Sequence, residues 1–324
     1  MTVTDLPHQT RQTAPKMSEQ ALLIELEQVV EANLNRHFSV AKEWFPHEYV
    51  PWSEGRTYDG LLGGEPWRED DSPIPDVART ALIVNLLTED NLPSYHHEIA
   101  TLFGRDGAWG TWVHRWTAEE GRHGIALRDY LTVTRAVDPV ALERARMTHM
   151  QSGYANAHPE EMMHSIAYVA FQELATRISH RNTGRATGDP IAEQLLARVA
   201  ADENLHMVFY RNLLAAAFDL DPDHAMQAVT DVVAGFEMPG ANIEGFQRKA
   251  LSIALAGIYD LRQHRDEVLQ PVLRQWNVFG RTGLTAEGEK ARDQLAAHME
   301  NLDIQATRFE EKREARRQRQ MQKL

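Results

Sequence analysis

Cysteine is absent from the 324 residues. That excludes disulfides, thiolate metal sites and cysteine-ligated iron–sulfur clusters, so any electrons the protein uses come from outside this chain. Long apolar runs are also missing: no stretch approaches the roughly 20 residues that a membrane-spanning helix needs. The start, MTVTDLPHQTRQTAPKM, carries no apolar segment of a secretory signal, and the expectation is a cytoplasmic protein with no membrane span. Basic charge is scarce as well, 34 Lys+Arg against 47 Asp+Glu for a formal charge of −13. A surface with that balance does not neutralise phosphates, so nucleic acid is not an expected partner. The densest basic stretch, Lys312 to Arg319, reads first as a solvated helix end.

What is present points to helices. With 43% apolar and 25% charged residues, the chain can bury a sizeable core. Alternating strand patterns are few, whereas Leu22, Leu23, Leu26, Val29, Val30 and Leu34 follow a helical period behind an N-cap at Ser18. Further helices are predicted at about 76–103, 107–135, 159–182, 190–218, 222–236, 243–259, 263–276 and 285–318. Asp189-Pro190 and Asp221-Pro222 each supply a capping carboxylate followed by proline at the first helical position. Residues 45–75, with five prolines and the Gly63-Gly64 pair, read as an extended loop. The expected architecture is all-α: one domain over 18–311, a disordered start over 1–17 and a charged tail over 312–324.

The chemistry sits in a repeated pattern. Glu120 precedes His123 by three residues, and Glu203 precedes His206 by three, a spacing that returns to nearly the same helix face. One such pair is commonplace on a solvated surface. Here each is preceded by a glutamate in an apolar helix, Glu89 standing 31 residues before Glu120 and Glu173 standing 30 residues before Glu203. Two antiparallel helix hairpins would supply this pattern, and it is the ligand arrangement of ferritin-like di-iron bundles. Four carboxylates converging in a core repel one another unless cations balance them, and two divalent ions do so. Carboxylate and imidazole donors suit iron or manganese.

Other candidate residues fit this chemistry less well. Glu161 and His164 form a third Glu-x-x-His, but His164 lies nine residues before Glu173, about 900° of rotation, so it points away from the ligands and is expected on the surface. Trp109, Trp112 and Trp116 read as core packing, with Trp116 also lining the site. Pro93 cannot bond the carbonyl of Glu89, which weakens the helix where the first ligand sits. Arg177, Arg181 and Arg185 read as a surface stripe or ion-pairing partners.

The segments LTEDNLPSY, RWTAEEGRHG, FQELATRISHRNTG, ADENLH and TGLTAEG resemble the soluble acyl-carrier-protein desaturases, over about residues 20–300. The resemblance implies that Glu89, Glu120, His123, Glu173, Glu203 and His206 hold two iron ions, with Glu120 and Glu203 bridging. It further implies that Thr176 handles oxygen and protons, and that Asp202 with Trp44 of EWFPHEY links His123 to an electron donor. A carboxylate beside a ligand histidine is ordinary support for a metal site, and Glu119 holds the matching position toward His206. The implied activity is desaturation of an acyl chain on acyl carrier protein, with electrons from ferredoxin and assembly as a homodimer. Two other readings stand beside it: a di-iron hydroxylase or N-oxygenase with the same ligands, and a ferritin-like metal-binding protein without organic turnover.

Overall fold

The structure, a computed structural model, describes residues 16–322; the first 15 residues of the predicted disordered start lie outside the described residues. Among them no helix is long and apolar enough to cross a membrane, and no strand forms beyond an isolated bridge between Tyr58 and Glu65. The observed class is the predicted one, all-α.

Helix α1 (Glu19–Val40) starts where Ser18 Oγ accepts from Ala21 N at 3.2 Å and buries one stripe, Leu22, Leu26, Val30, Leu34 and His37. Each apolar member of that stripe contributes roughly 1.5–3 kcal/mol by leaving water. The stripe packs on α4 (Gly107–Val133) and α7 (Pro190–Leu220). With α2 (Asp76–Asp90) and α6 (Met162–Thr187), these two complete a four-helix core. α7 begins as predicted at Asp189, whose carboxylate accepts from Ile191 N at 2.9 Å.

The predicted helix over 76–103 is in fact two. α2 ends at Asp90 and α3 (Leu92–Phe103) begins after Asn91, with Pro93 in its first turn. Proline offers no N–H to the Glu89 carbonyl and its ring clashes there, so the helix restarts rather than bends. Asn91 secures the break, donating from Nδ2 to Gly153 O at 3.0 Å and accepting from Ser94 Oγ at 2.9 Å.

A helix not predicted, α5 (Pro139–Gln151), follows its own Asp-Pro start, with Asp138 Oδ1 accepting from Val140 N at 2.9 Å. α8 (Pro222–Ala234) covers α6 and α7, and α9 (Phe246–Ala256) leans on α2. The predicted helix 263–276 is broken into α10 (Leu261–Gln263), a π turn His264–Leu269 and α11 (Gln270–Gln275). α12 (Ala286–Met321) packs on α8 and continues without interruption past residue 312, where the tail was expected to begin. Arg313 is docked there, pairing with Asp260 at 2.5 Å.

The proline-rich loop is held down by Arg135, only 2% exposed and in the left-handed region at φ 56°. It donates to Asp71 Oδ2 at 3.0 Å and to Pro66 O at 2.8 Å, and its guanidinium lies 4.3 Å over the Tyr58 ring. Upstream in the same loop, Trp44 is buried against the core.

Candidate metal centre

The four core helices bring the six predicted ligands together. Glu89 comes from α2, Glu120 and His123 from α4, Glu173 from α6, and Glu203 and His206 from α7; all six are at most 7% exposed. They fall into two overlapping groups, Glu89, Glu120, His123 and Glu203, and Glu120, Glu173, Glu203 and His206, with donor atoms within 4.8 Å of one another in each. Glu120 and Glu203 belong to both, the position a bridging carboxylate takes. The hairpin spacing required this: about 30 residues let one helix run out and the next return to the same level. Gly124 leaves room for the Asp90 carboxylate of α2, because a Cβ there would lie 2.9 Å from Asp90 Oδ1.

Each imidazole has one nitrogen inside the cage and one outside. His123 Nδ1 is 3.7 Å from Glu89 Oε2, 3.5 Å from Glu120 Oε2 and 3.4 Å from Glu203 Oε1. His206 Nδ1 is 2.7 Å from Glu120 Oε1 and 3.6 Å from Glu173 Oε2. On the outer side, His123 Nε2 faces Asp202 Oδ2 at 3.4 Å and His206 Nε2 faces Glu119 Oε2 at 2.9 Å. Outer carboxylates of this kind fix ring orientation and tautomer.

Electrostatics and hydrogen-bond accounting both fit a pair of cations. Burial and the neighbouring Glu120 push Glu173 well above the usual carboxylate range, and burial with Glu203 pushes Glu120 up. Burial also opposes ionisation of Glu203, but the close approach of Glu173 and both cage histidines holds it well below that range. The carboxylates cannot all stay ionised on their own, and divalent ions relieve the proton uptake this forces. Among the described residues, Glu120 Oε1, Glu173 Oε2, both oxygens of Glu203 and Nδ1 of His123 and His206 are buried without hydrogen-bond partners. Leaving so many polar atoms unmade costs roughly 1–3 kcal/mol each, whereas metal coordination uses all of them. The cysteine-free, carboxylate-rich donor set matches iron or manganese.

The supporting shell contains more than the sequence revealed. Trp44 Nε1 donates to Asp202 Oδ2 at 2.7 Å, its ring stacking on His123 with centroids 6.2 Å apart, and Arg122 donates to the same oxygen at 2.7 Å. Trp116 Nε1 donates to Glu173 Oε1 at 3.1 Å. Thr176 lies at the cage, but its hydroxyl bonds back to Gln172 O at 3.1 Å and Glu173 O at 3.0 Å. Two histidines escaped sequence analysis. His180 Nε2 sits 2.9 Å from Glu89 Oε1, and His37 Nε2 sits 2.9 Å from Glu119 Oε2. Their signals were positional: His180 falls two turns after Glu173, and His37 ends the apolar stripe of α1. His164, expected on the surface, is only 5% exposed, because α8 brings Asp231 against it at 3.3 Å.

Beside the cage lies a narrow cleft. Leu92, Ile99, Leu102, Tyr168 and Val169 form apolar walls, and Glu89, Glu120, Trp116 and Thr176 form the end that meets the cage.

Overlapping carboxylate–histidine groups inside a helical bundle define a ferritin-like fold whose core donors are consistent with a di-metal site. The chain belongs to the fatty acid desaturase family, an oxidoreductase family, whose sequence profile it matches over residues 18–324. It is 53% identical over 302 residues to a Mycobacterium tuberculosis protein named as the acyl-carrier-protein desaturase DesA1, covering 91% of this chain and 89% of that one. A stearoyl-acyl-carrier-protein 9-desaturase of rice is 33% identical over 294 residues, covering 84% and 74% respectively. The crystal structure of DesA2 from M. tuberculosis H37Rv superposes with a TM-score of 0.69 at 33% identity, covering 84% of this chain and 99% of that chain.

Proposed function

We propose that this protein introduces a double bond into a fatty acyl chain carried on acyl carrier protein, using O2 and two electrons from a ferredoxin. The reaction balances as CH2–CH2 plus O2, two electrons and two protons giving CH=CH and two waters. The observation that carries this reading is the apolar cleft that ends on Glu89, Glu120 and Thr176. An alkyl chain has no polar handle near its middle methylenes, so it is positioned by walls alone, and apolar walls also keep water from the reacting carbons.

In this reading Glu89, Glu120, His123, Glu173, Glu203 and His206 hold two irons, which when bound supply the O2-dependent redox chemistry that removes hydrogen from unactivated methylenes. The remaining residues position and connect. Asp202 and Glu119 hold the outer nitrogens of the two imidazoles, and Trp116 orients Glu173. Thr176 Oγ1, where cleft and cage meet, is placed to release its internal hydrogen bond and pass a proton toward the cage. Trp44, stacked on His123 and bonded to Asp202, gives external electrons a route. Homodimer assembly belongs to the same reading.

Iron-loaded protein incubated with acyl carrier proteins of several chain lengths, ferredoxin, its reductase, NADPH and O2 is expected to yield acyl groups lighter by two hydrogens, and Glu203→Ala is expected to abolish this. Gain of one oxygen would replace desaturation by hydroxylation. Two irons bound with no turnover on any chain length would turn the reading toward metal binding alone.

A further inference from the structure

The third Glu-x-x-His, which the desaturase centre does not use, forms a second histidine–carboxylate cluster. It stands at the start of α6, with His164 about 14 Å along the helix from Glu173 by the helical rise. Glu161 Oε2 lies 3.3 Å from His158 Nδ1 and 2.9 Å from His164 Nδ1, and the three residues offer donor atoms within 4.8 Å of one another. We propose that His158, Glu161 and His164 bind a divalent cation of the zinc class, distinct from the di-metal cage.

Three observations support a cation over a plain hydrogen-bond network. His164 Nδ1 is close to Glu161 Oε2 yet has no hydrogen-bond partner among the described residues, the same arrangement that His123 and His206 Nδ1 show toward the cage carboxylates, as when two lone pairs face a common point. His164 Nε2 faces Asp231 Oδ2 at 3.3 Å, repeating the outer carboxylate of His123 and His206 and leaving Nδ1 free to ligate. His224, 8% exposed on the same pocket, has both ring nitrogens without hydrogen-bond partners among the described residues, an unmet demand for a buried polar group. Among the described residues, Lys16 Nζ, 3.7 Å from Glu161 Oε1, is the one cation side chain that competes, and it is half exposed. Two imidazoles and one carboxylate with a remaining open position suit Zn2+. Tyr154 and Asn156 of the adjoining segment line the apolar cleft, so a cation on His158 would fix that wall to α6.

The test counts metals. Iron-loaded protein is equilibrated with micromolar Zn2+, freed of unbound ions and analysed by mass spectrometry, alongside Glu161→Gln, His158→Gln and Asp231→Asn. His158 and Glu161 are each about one-third exposed, so those changes spare the core, and an unchanged iron count reports an intact fold. The expected result is one zinc per chain beyond the iron, lost in E161Q and H158Q and held about 10–100-fold more weakly in D231N. The zinc difference between wild type and E161Q is read whether or not two irons are found. No additional zinc in the wild type, or additional zinc that survives in E161Q and H158Q, overturns the proposal.

Discussion

Replacing Glu119 separates its two tasks. Its Oε2 accepts from His206 Nε2 and from His37 Nε2, each at 2.9 Å, and Oε1 pairs with Arg115 at 2.5 Å. Burial alone would raise its pKa, but those hydrogen bonds from His206 and His37 hold it well below the usual carboxylate range. Glu119 therefore joins α1 to the ligand on α7. Glu119→Ala leaves two buried imidazole N–H groups without an acceptor, and breaking a buried pair of this kind costs about 3–5 kcal/mol. Loss of an outer partner also weakens metal binding, typically about 10–100-fold, or roughly 1.4–2.7 kcal/mol. Glu119→Gln, whose amide oxygen still accepts from His206 but whose NH2 cannot pair with the donor-only Arg115, is expected to lose the Arg115 pair while staying at the mild end for metal binding. His37→Gln removes no hydrogen bond to a cage residue, since His37 only stacks on His206 with centroids 5.9 Å apart, so it should lower stability while changing iron affinity less than about threefold. Denaturant unfolding gives the first quantity and chelator competition for iron the second. Unchanged iron affinity in E119A, or equal weakening in H37Q, would refute the assignment of Glu119 to His206.

Two further outcomes are expected. Arg135→Met keeps the bulk but removes the bonds to Asp71 and Pro66; with Asp71 partly exposed the cost is roughly 1–3 kcal/mol, and limited proteolysis should cut between residues 56 and 71 at protease levels that spare the wild type. His264, buried beneath the Tyr259 hydroxyl, has its pKa lowered by burial and by His298 to about 4. The folded state thus holds it neutral while the unfolded chain takes a proton below pH 6.5, so stability is fullest above about pH 6.5 and falls by up to about 3 kcal/mol as pH drops to 4. His264→Gln should flatten that part of the urea-midpoint against pH curve, and an unchanged slope would remove His264 as its source.

The sequence by itself determined the class and which six carboxylate and imidazole side chains meet in the core. Helical period is written into the apolar residues of α1, and the Glu, about 30 residues, Glu-x-x-His pattern repeats because a helix hairpin has a fixed length and a fixed return face. Local chemistry was legible wherever a residue acts on its own helix: Asp189 as a cap, Pro93 as an obstacle to the Glu89 carbonyl. The same Asp-Pro signal at Asp138-Pro139 was present and overlooked, and so α5 was missed. Reading Pro93 as a distortion rather than a full stop fell short because Asn91 settles the break through Gly153, a residue 62 positions away. His37, His180 and His164 were beyond the sequence for one physical reason. Each is defined by a carboxylate from another helix, Glu119, Glu89 or Asp231, and only packing decides which helix faces supply partners to one another. Rotation along α6 placed His164 away from the ligands, and it is α8, folded over that side, that turned a surface position into a buried one.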